Sequence, residues 1–342
     1  MKRENRFPIR ILVTGSRGKS SLVRLLCAAF AGFGANVRGR ITGVLPREIA
    51  SHLPNGERLI FRSGPASVEE MRWWLDTLPD DSEAVILENS AVDPDLQPLA
   101  VRWFRPQCFV LTNVRPDHEE IWGRGEESAV RALCRGIAGG TVVLPRSVAE
   151  KSLVKDLLSE KGCDLLPCDD GASFRETHLF LVGSVCRFFG FDPEKGVAFA
   201  SQIPPDVADF RICREGEGLL AAAFSANDPE STEALFCSTG WRREATTLLF
   251  NARKDRFARL ESFLPWFRAF SWKSVLLTGS RPLFLPHPLQ YFSLSDAASL
   301  KNFIRSEERV FGCGNVAGIP LEYLCALRDD RVERKAKYRD GA

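Results

Sequence analysis

A short apolar run at residues 9–13 leads into Thr14-Gly-Ser-Arg-Gly-Lys-Ser20, after which Leu22, Val23, Leu25, Leu26, Ala29 and Phe30 recur at helical spacing. Strand, glycine turn and helix in that order leave few folds open. Gly15 and Gly18 let the backbone curl so that successive N–H groups point at an anion, and the positive end of the following helix adds to the attraction. Lys19 is placed to reach the outer phosphates of ATP, and the Ser20 hydroxyl to ligate Mg²⁺. The longer phosphate-loop pattern has a further glycine five residues before Gly18, where Val13 stands. The shorter form, Thr/Ser-Gly-x-x-Gly-Lys-Ser/Thr, is met. Gly15, Arg17, Gly18, Lys19, Ser20 and Ser21 form the candidate nucleotide-binding set.

The alternation continues along the chain. Residues 68–78 read as a helix stopped by Pro79, 84–87 as a buried strand ending at Glu88, 96–104 as a helix and 108–111 as a strand. A helix at 128–137 and a strand at 141–144 follow. Residues 165–188 hold two short apolar runs without a clear period. Pro204 and Pro205 exclude helix and mark a linker. Beyond it the pattern restarts, with strands at 219–224, 247–250, 274–277 and 309–311. Helices are expected at 229–237 (capped by Asp228), 257–267, 296–303 and 321–327. This predicts an α/β chain: a P-loop-type, mostly parallel sheet with helices on both faces over residues 1–205, then a smaller Rossmann-like α/β domain over 206–342.

Composition narrows the function. With 342 residues, 44% of them apolar, the chain can bury two cores without disulfides. The net charge of +2 and the scattered Lys and Arg give no nucleic-acid arm and no membrane-surface patch. Ten cysteines occur with four histidines, but none falls in a C-x-x-C. Zinc is therefore not expected; thiols inside apolar runs, such as Cys27, Cys134 and Cys325, read as small buried hydrophobes of a reduced, cytoplasmic protein. The first eight residues contain no apolar segment, and no run approaches a membrane span, so neither a signal peptide nor a transmembrane helix is expected.

In open α/β sheets ligands bind beyond the carboxyl ends of the strands. Glu88 ends one expected strand and His118 follows another shortly after its end. A carboxylate and a hydroxyl around a bound triphosphate suit Mg²⁺, which takes one or two protein oxygens and completes its shell with phosphate and water. Ser20, Glu88 and His118 are the candidate metal group.

These residues resemble a family. Thr14 to Ser20, the Glu88 element and Thr112-Asn-Val-Arg-Pro-Asp-His118 are similar to the three central-domain motifs of the Mur-ligase superfamily. More closely, the chain resembles the ligase subunit of poly-γ-glutamate synthases (the PgsB/CapB type). The segments that carry this likeness are Thr42-Gly-Val-Leu-Pro46, Asn113-Val-Arg115 with Asp117-His118, Phe224-Ser-Ala-Asn-Asp-Pro-Glu-Ser-Thr232, Phe250-Asn-Ala-Arg-Lys-Asp-Arg256 and Gly312-Cys-Gly-Asn315. The resemblance implies an ATP- and Mg²⁺-dependent amide ligase working through an acyl-phosphate. It implies that Lys19 and Ser20 hold phosphates and metal, that Glu88 and His118 serve the metal, and that Arg253 acts in catalysis. Asn227, Asn251, Arg253, Asp255 and Arg256 would come from the second domain to close over the nucleotide. Many Mur-type ligases also carry a carbamylated lysine; Lys151, Lys155 and Lys161 lie in range and none is assigned.

The substrates implied are an amino acid such as glutamate and an acidic acceptor, for which Arg38, Arg40, Arg47 and Arg115 are available cations. Membrane partner subunits of a polymer synthase and a homo-oligomer are further expectations. Two other readings stay open at this point. One is a P-loop kinase or ATPase that forms no amide. The other is a nucleotide-binding regulatory subunit of a polymer synthesis or export complex.

Overall fold

The computed structural model describes residues 6–53, 56–61, 67–226 and 228–327. The chain divides into two compact units, Met1–Pro204 and Pro205–Ala342.

The first unit follows the alternation read from the sequence. Its elements are β1 (Ile9–Thr14), α1 (Lys19–Gly32), β2 (Val37–Ile41), β3 (Arg47–Ala50), β4 (Glu57–Leu59), α2 (Glu69–Thr77), β5 (Ala84–Glu88), α3 (Gln97–Phe104) and β6 (Cys108–Leu111). Then come α4 (Glu119–Trp122), α5 (Gly125–Arg135), β7 (Gly140–Pro145), α6 (Arg146–Ala149), α7 (Ser152–Ser159), β8 (Cys163–Cys168), α8 (Phe174–Phe188) and α9 (Pro193–Ser201). Among the described residues one sheet of eight strands forms in the order β4-β3-β2-β5-β1-β6-β7-β8. Strands β2, β5, β1, β6, β7 and β8 run parallel, and β3 and β4 add an antiparallel edge.

Side chains alternate across a strand, so β1 feeds two cores. Ile11 and Val13 pack with Leu22, Leu26, Phe30, Leu181 and Val185 on the α1, α8 and α9 side. Leu12 packs with Met71, Phe104, Leu133 and Val154 on the α2, α3, α5 and α7 side. A strand covered on both faces is continuously apolar, which is why 9–13 and 84–87 were legible.

The strands β2, β3 and β4 were not expected from the sequence, because Val37-Arg-Gly-Arg-Ile41 shows no apolar run. Most of their charges pair, some with helices α1 and α2: Arg40 with Glu70 at 2.7 Å, Arg47 and Arg24 with Glu57 at 2.6 and 2.7 Å, and Arg58 with Glu48. The unreadable stretch 165–188 resolves into β8 and the fifteen-residue helix α8.

The second unit contains β9 (Arg211–Glu215), β10 (Gly218–Ala222), α10 (Pro229–Ser238), β11 (Thr247–Ala252), α11 (Phe257–Ala269), β12 (Ser274–Gly279), β13 (Gln290–Tyr291), α12 (Ala297–Ser306) and β14 (Arg309–Gly314). The helix expected at 321–327 begins at 319 and reaches the last described residue. Strand order among the described residues is β13-β12-β11-β14-β10-β9, parallel except for β9. Phe236, Phe250, Phe263, Trp266, Phe267 and Phe311 fill its core, with rings meeting edge-on or tilted. Asp228 caps α10 as expected, accepting the Ser231 N–H at 2.7 Å.

Candidate active site

Strand order sets the candidate site of the first unit. β1 lies between β5 and β6, with Val13 opposite Glu88 and Thr14 opposite Leu111. The loop after β1 therefore emerges beside the ends of both neighbours. Gly15 has φ +134° and Gly18 φ +76°, backbone states that favour glycine. A Cβ on Gly15 would stand 2.1 Å from the Thr112 hydroxyl. That hydroxyl donates to the Arg17 carbonyl at 2.6 Å, and the Asn113 amide donates to the same oxygen at 3.0 Å. The Ser16 N–H donates to the Asn113 carbonyl at 3.2 Å and its hydroxyl to the Arg115 carbonyl at 2.5 Å. The Thr112–Arg115 stretch thus fixes the curl of the loop by its hydrogen bonds.

At the start of α1 the Lys19 ammonium donates to the Gly15 carbonyl at 2.6 Å. Desolvation pushes its pKa below the usual lysine range and Arg17 adds to this, while Glu88 and Asp117 pull it back up. Ser20 donates to one Glu88 oxygen at 2.6 Å. The other Glu88 oxygen accepts both the backbone N–H and the hydroxyl of Thr42. Glu88 is 2% exposed. Thr42 arrives there because β2 pairs in parallel with β5, Arg40 opposite Leu87. Gly43 follows closely, since a Cβ on it would lie 2.6 Å from the Ser20 oxygen.

This donor set fits Mg²⁺ held together with phosphate. It offers hard oxygens, a carboxylate and a hydroxyl, already in contact. Among the described residues no group of three or more His, Cys, Asp or Glu side chains forms a cage that would bind a metal alone. Magnesium bound with a nucleotide needs no such cage.

His118 sits in the left-handed region at φ 47°, at the start of α4. Its imidazole lies 3.9 Å from an Asp117 oxygen and 3.8 Å from a Glu120 oxygen, and its ring centre is 5.3 Å from that of Trp122. Asp117, not singled out from the sequence as a site residue, acts electrostatically on Lys19. Thr42, quoted only within a family-like segment, was likewise not named as a site residue from the sequence.

Arg115, one of the four arginines expected to await an acidic substrate, is half-buried. Arg38, Arg40 and Arg47 are buried. Arg40 and Arg47 are engaged by Glu70 and Glu57. Arg38 donates to His52 at 2.7 Å and meets no carboxylate among the described residues. Of the lysines in range for carbamylation, Lys151 pairs with Glu126 at 2.8 Å, and Lys161 donates to the Cys134 and Ile137 carbonyls.

In the second unit, β11, β12 and β14 end together. The Asn251 amide donates to the Asn315 and Ala317 carbonyls at 2.6 and 2.8 Å, and the Asn315 amide returns to the Asn251 carbonyl at 2.9 Å. Arg259 adds a contact to the Asn315 side chain. Sequence reading had named Asn251 but not Arg259 as a site residue. Arg253 grips Asp255 through two bonds, 3.0 and 2.7 Å, near the start of α11, and Arg256 stands at that helix's N-terminal boundary. Burial pushes the Asp255 carboxyl up, but its own N–H, Arg253 and Arg256 outweigh it and hold it below the usual range. Asn227 lies outside the described residues.

Residues 210–330 match the family model described as the poly-gamma-glutamate synthase CapB C-terminal domain. The capsule biosynthesis protein CapB of Bacillus anthracis is 23% identical over an alignment covering 98% of this chain and 79% of that protein. The PGA synthase CapB of Bacillus subtilis (strain 168) is 24% identical, over 96% and 92%. Among solved structures, Escherichia coli FolC in complex with ADP superposes with TM-score 0.65 at 15% identity, covering 97% of this chain and 91% of that one. A bifunctional folylpolyglutamate synthase/dihydrofolate synthase with Mn, AMPPNP and L-glutamate bound gives 0.63 at 14%, over 94% and 90%. MurF of Acinetobacter baumannii gives 0.64 at 11%, over 97% and 78%. The structural likenesses establish the fold. The chain thus has the fold of Mur ligases and folylpolyglutamate synthases, matches the CapB C-terminal family model over residues 210–330, and is similar along nearly its whole length to the CapB proteins of two Bacillus species.

Proposed function

We propose that this chain is an ATP- and Mg²⁺-dependent carboxylate–amine ligase, joining glutamate or a similar amino acid to an acidic acceptor through an acyl-phosphate. The observation that carries the reading is the contact of Ser20 with the buried Glu88 carboxylate, beside the desolvated Lys19. Ser20 and Glu88 would hold the metal, and His118 would serve the same group. Bound Mg²⁺ supplies charge neutralisation at the transferring phosphoryl group. The turn from Gly15 to Ser21, Arg17 included, would cradle the phosphates. Lys19 then gains the anionic partner that its desolvated ammonium favours.

An acceptor carboxylate oxygen attacks the γ-phosphorus and ADP leaves. The amine attacks the carbonyl carbon of the acyl-phosphate, loses its proton, and phosphate departs. Residues of the second unit, Asn227, Asn251, Arg253, Asp255 and Arg256, would close over the nucleotide; a guanidinium there matches phosphate oxygens. Exclusion of water is the purpose of such closure, because acyl-phosphates hydrolyse. Arg38, a buried cation with no carboxylate among the described residues, supports an acidic acceptor.

Among the described residues no helix is long and apolar enough to cross a membrane. Among the described residues no two cysteines are joined in a disulfide, which supports a reducing, cytoplasmic setting. Membrane subunits and self-association belong to this reading as the resemblance implies them.

Mass spectrometry of products formed from ATP, Mg²⁺ and a panel of amino acids tests the proposal. Amine-dependent ADP release with a new amide supports it. ADP released equally without any amine would replace it with the kinase or ATPase reading.

A further inference from the structure

We infer that His178 is a positioning residue for the phosphate loop, and that the first turns of α8 form a wall of the nucleotide site. This rests on the nucleotide reading above. His178 is 5% exposed and occupies the space into which a side chain at position 18 would project. A Cβ on Gly18 would stand 2.5 Å from its Nε2 and 2.6 Å from its Cε1. Gly18 is the residue at which the loop turns into α1, at φ 76° and ψ 1°. That one left-handed turn aims the N–H groups of the loop and of the first helical turn at a phosphate. An imidazole packed against it restricts the turn's excursions.

A second contact uses the same helix face. Phe174 precedes His178 by four residues and so lies on the same side of α8. The Arg115 guanidinium stacks over the Phe174 ring at 5.1 Å, and the Arg115 carbonyl receives the Ser16 hydroxyl. One helix face therefore touches the loop twice, at Gly18 directly and at Ser16 by way of Arg115. The helix start is itself pinned: Ser173 accepts the Glu176 N–H at 3.2 Å, and the Thr177 hydroxyl accepts the Gly171 N–H at 3.0 Å. A loop held in its binding shape avoids the ordering cost that a loose loop would meet on taking up phosphate.

The test is the affinity of the full chain for ADP with Mg²⁺, by calorimetry, in wild type, His178→Ala, His178→Gln, Gly18→Ala and the Gly18→Ala/His178→Ala double variant. His178→Ala is expected to weaken binding about ten-fold or more, because the loop must then be ordered on binding. Its melting midpoint without nucleotide should stay near wild type. Should His178→Ala not fold, His178→Gln carries the comparison. The left-handed strain of an alanine at position 18 is present with or without the imidazole and cancels in the double-mutant cycle. The steric part does not cancel, so Gly18→Ala should cost less affinity when His178 is already alanine. Wild-type affinity in the His178 variants, or strictly additive effects, would overturn the inference. Failure of the wild-type chain to bind ADP with Mg²⁺ would instead overturn the nucleotide reading, and the inference with it.

Discussion

Ser20 and Glu88, which stand 68 positions apart in the chain, meet in a 2.6 Å hydrogen bond between the first turn of α1 and the end of β5. A hydroxyl donating to a carboxylate is an arrangement that a metal ion can take over, with both oxygens turning into ligands. Glu88→Gln keeps the shape and removes the charge. It is expected to lower amine-dependent ADP formation about 100-fold or more while the fold persists. Steady-state rates across a magnesium titration check this; a variant saturating at the wild-type rate would remove Glu88 from the metal site.

Lys19 should cost the protein stability when no nucleotide is bound. Desolvation holds its pKa below the ordinary lysine value, so between the two values the unfolded chain binds more protons than the folded one. Stability then rises with pH through that window, and below it the charged ammonium remains a burden. Lys19→Met is expected to raise the apo melting midpoint at neutral pH by a few degrees, to flatten the alkaline rise, and to lose the stabilisation given by ADP with Mg²⁺. Thermal melts with and without nucleotide decide it.

Thiol chemistry should follow burial. Cys237 is the exposed cysteine, and its thiol donates to Glu233 at 3.2 Å, a contact that raises its pKa. Burial pushes Cys108 up to about 12 and raises Cys27 and Cys313 as well. A thiol-specific reagent followed by peptide mapping is expected to label Cys237 first, more slowly than a free thiol. Cys27, Cys108 and Cys313 should react only on unfolding.

Elements buried on both sides were legible because their side chains are apolar without interruption, as in Ile11-Leu-Val13 and Ala84-Val-Ile-Leu87. The strands Val37–Ile41 and Arg47–Ala50 were not, because their charges are satisfied by partners that no local pattern reveals, such as Glu70 and Glu57. The site divides in the same way. Gly15, Lys19 and Ser20 carry their chemistry in one contiguous motif. Thr42 and His178 acquire their places from strand order and from a helix that packs back on the loop, which is information carried by tertiary contacts.

The strand-end junction of the second unit should be a stability determinant. Asn251 is buried and its amide serves two carbonyls. Asn251→Ala leaves both without that donor and is expected to cost about 1–3 kcal/mol. Urea unfolding of the full chain should show an earlier transition; an unchanged curve would mean that the two bonds add nothing net.

Isotope transfer tests the acyl-phosphate most directly. An acidic acceptor with ¹⁸O in its carboxylates, incubated with the chain, ATP, Mg²⁺ and the amino acid it joins, should pass one labelled oxygen to inorganic phosphate for each amide formed. Amide formation with no label in the phosphate would contradict activation by phosphoryl transfer, and with it the role assigned to Lys19, Ser20 and Glu88.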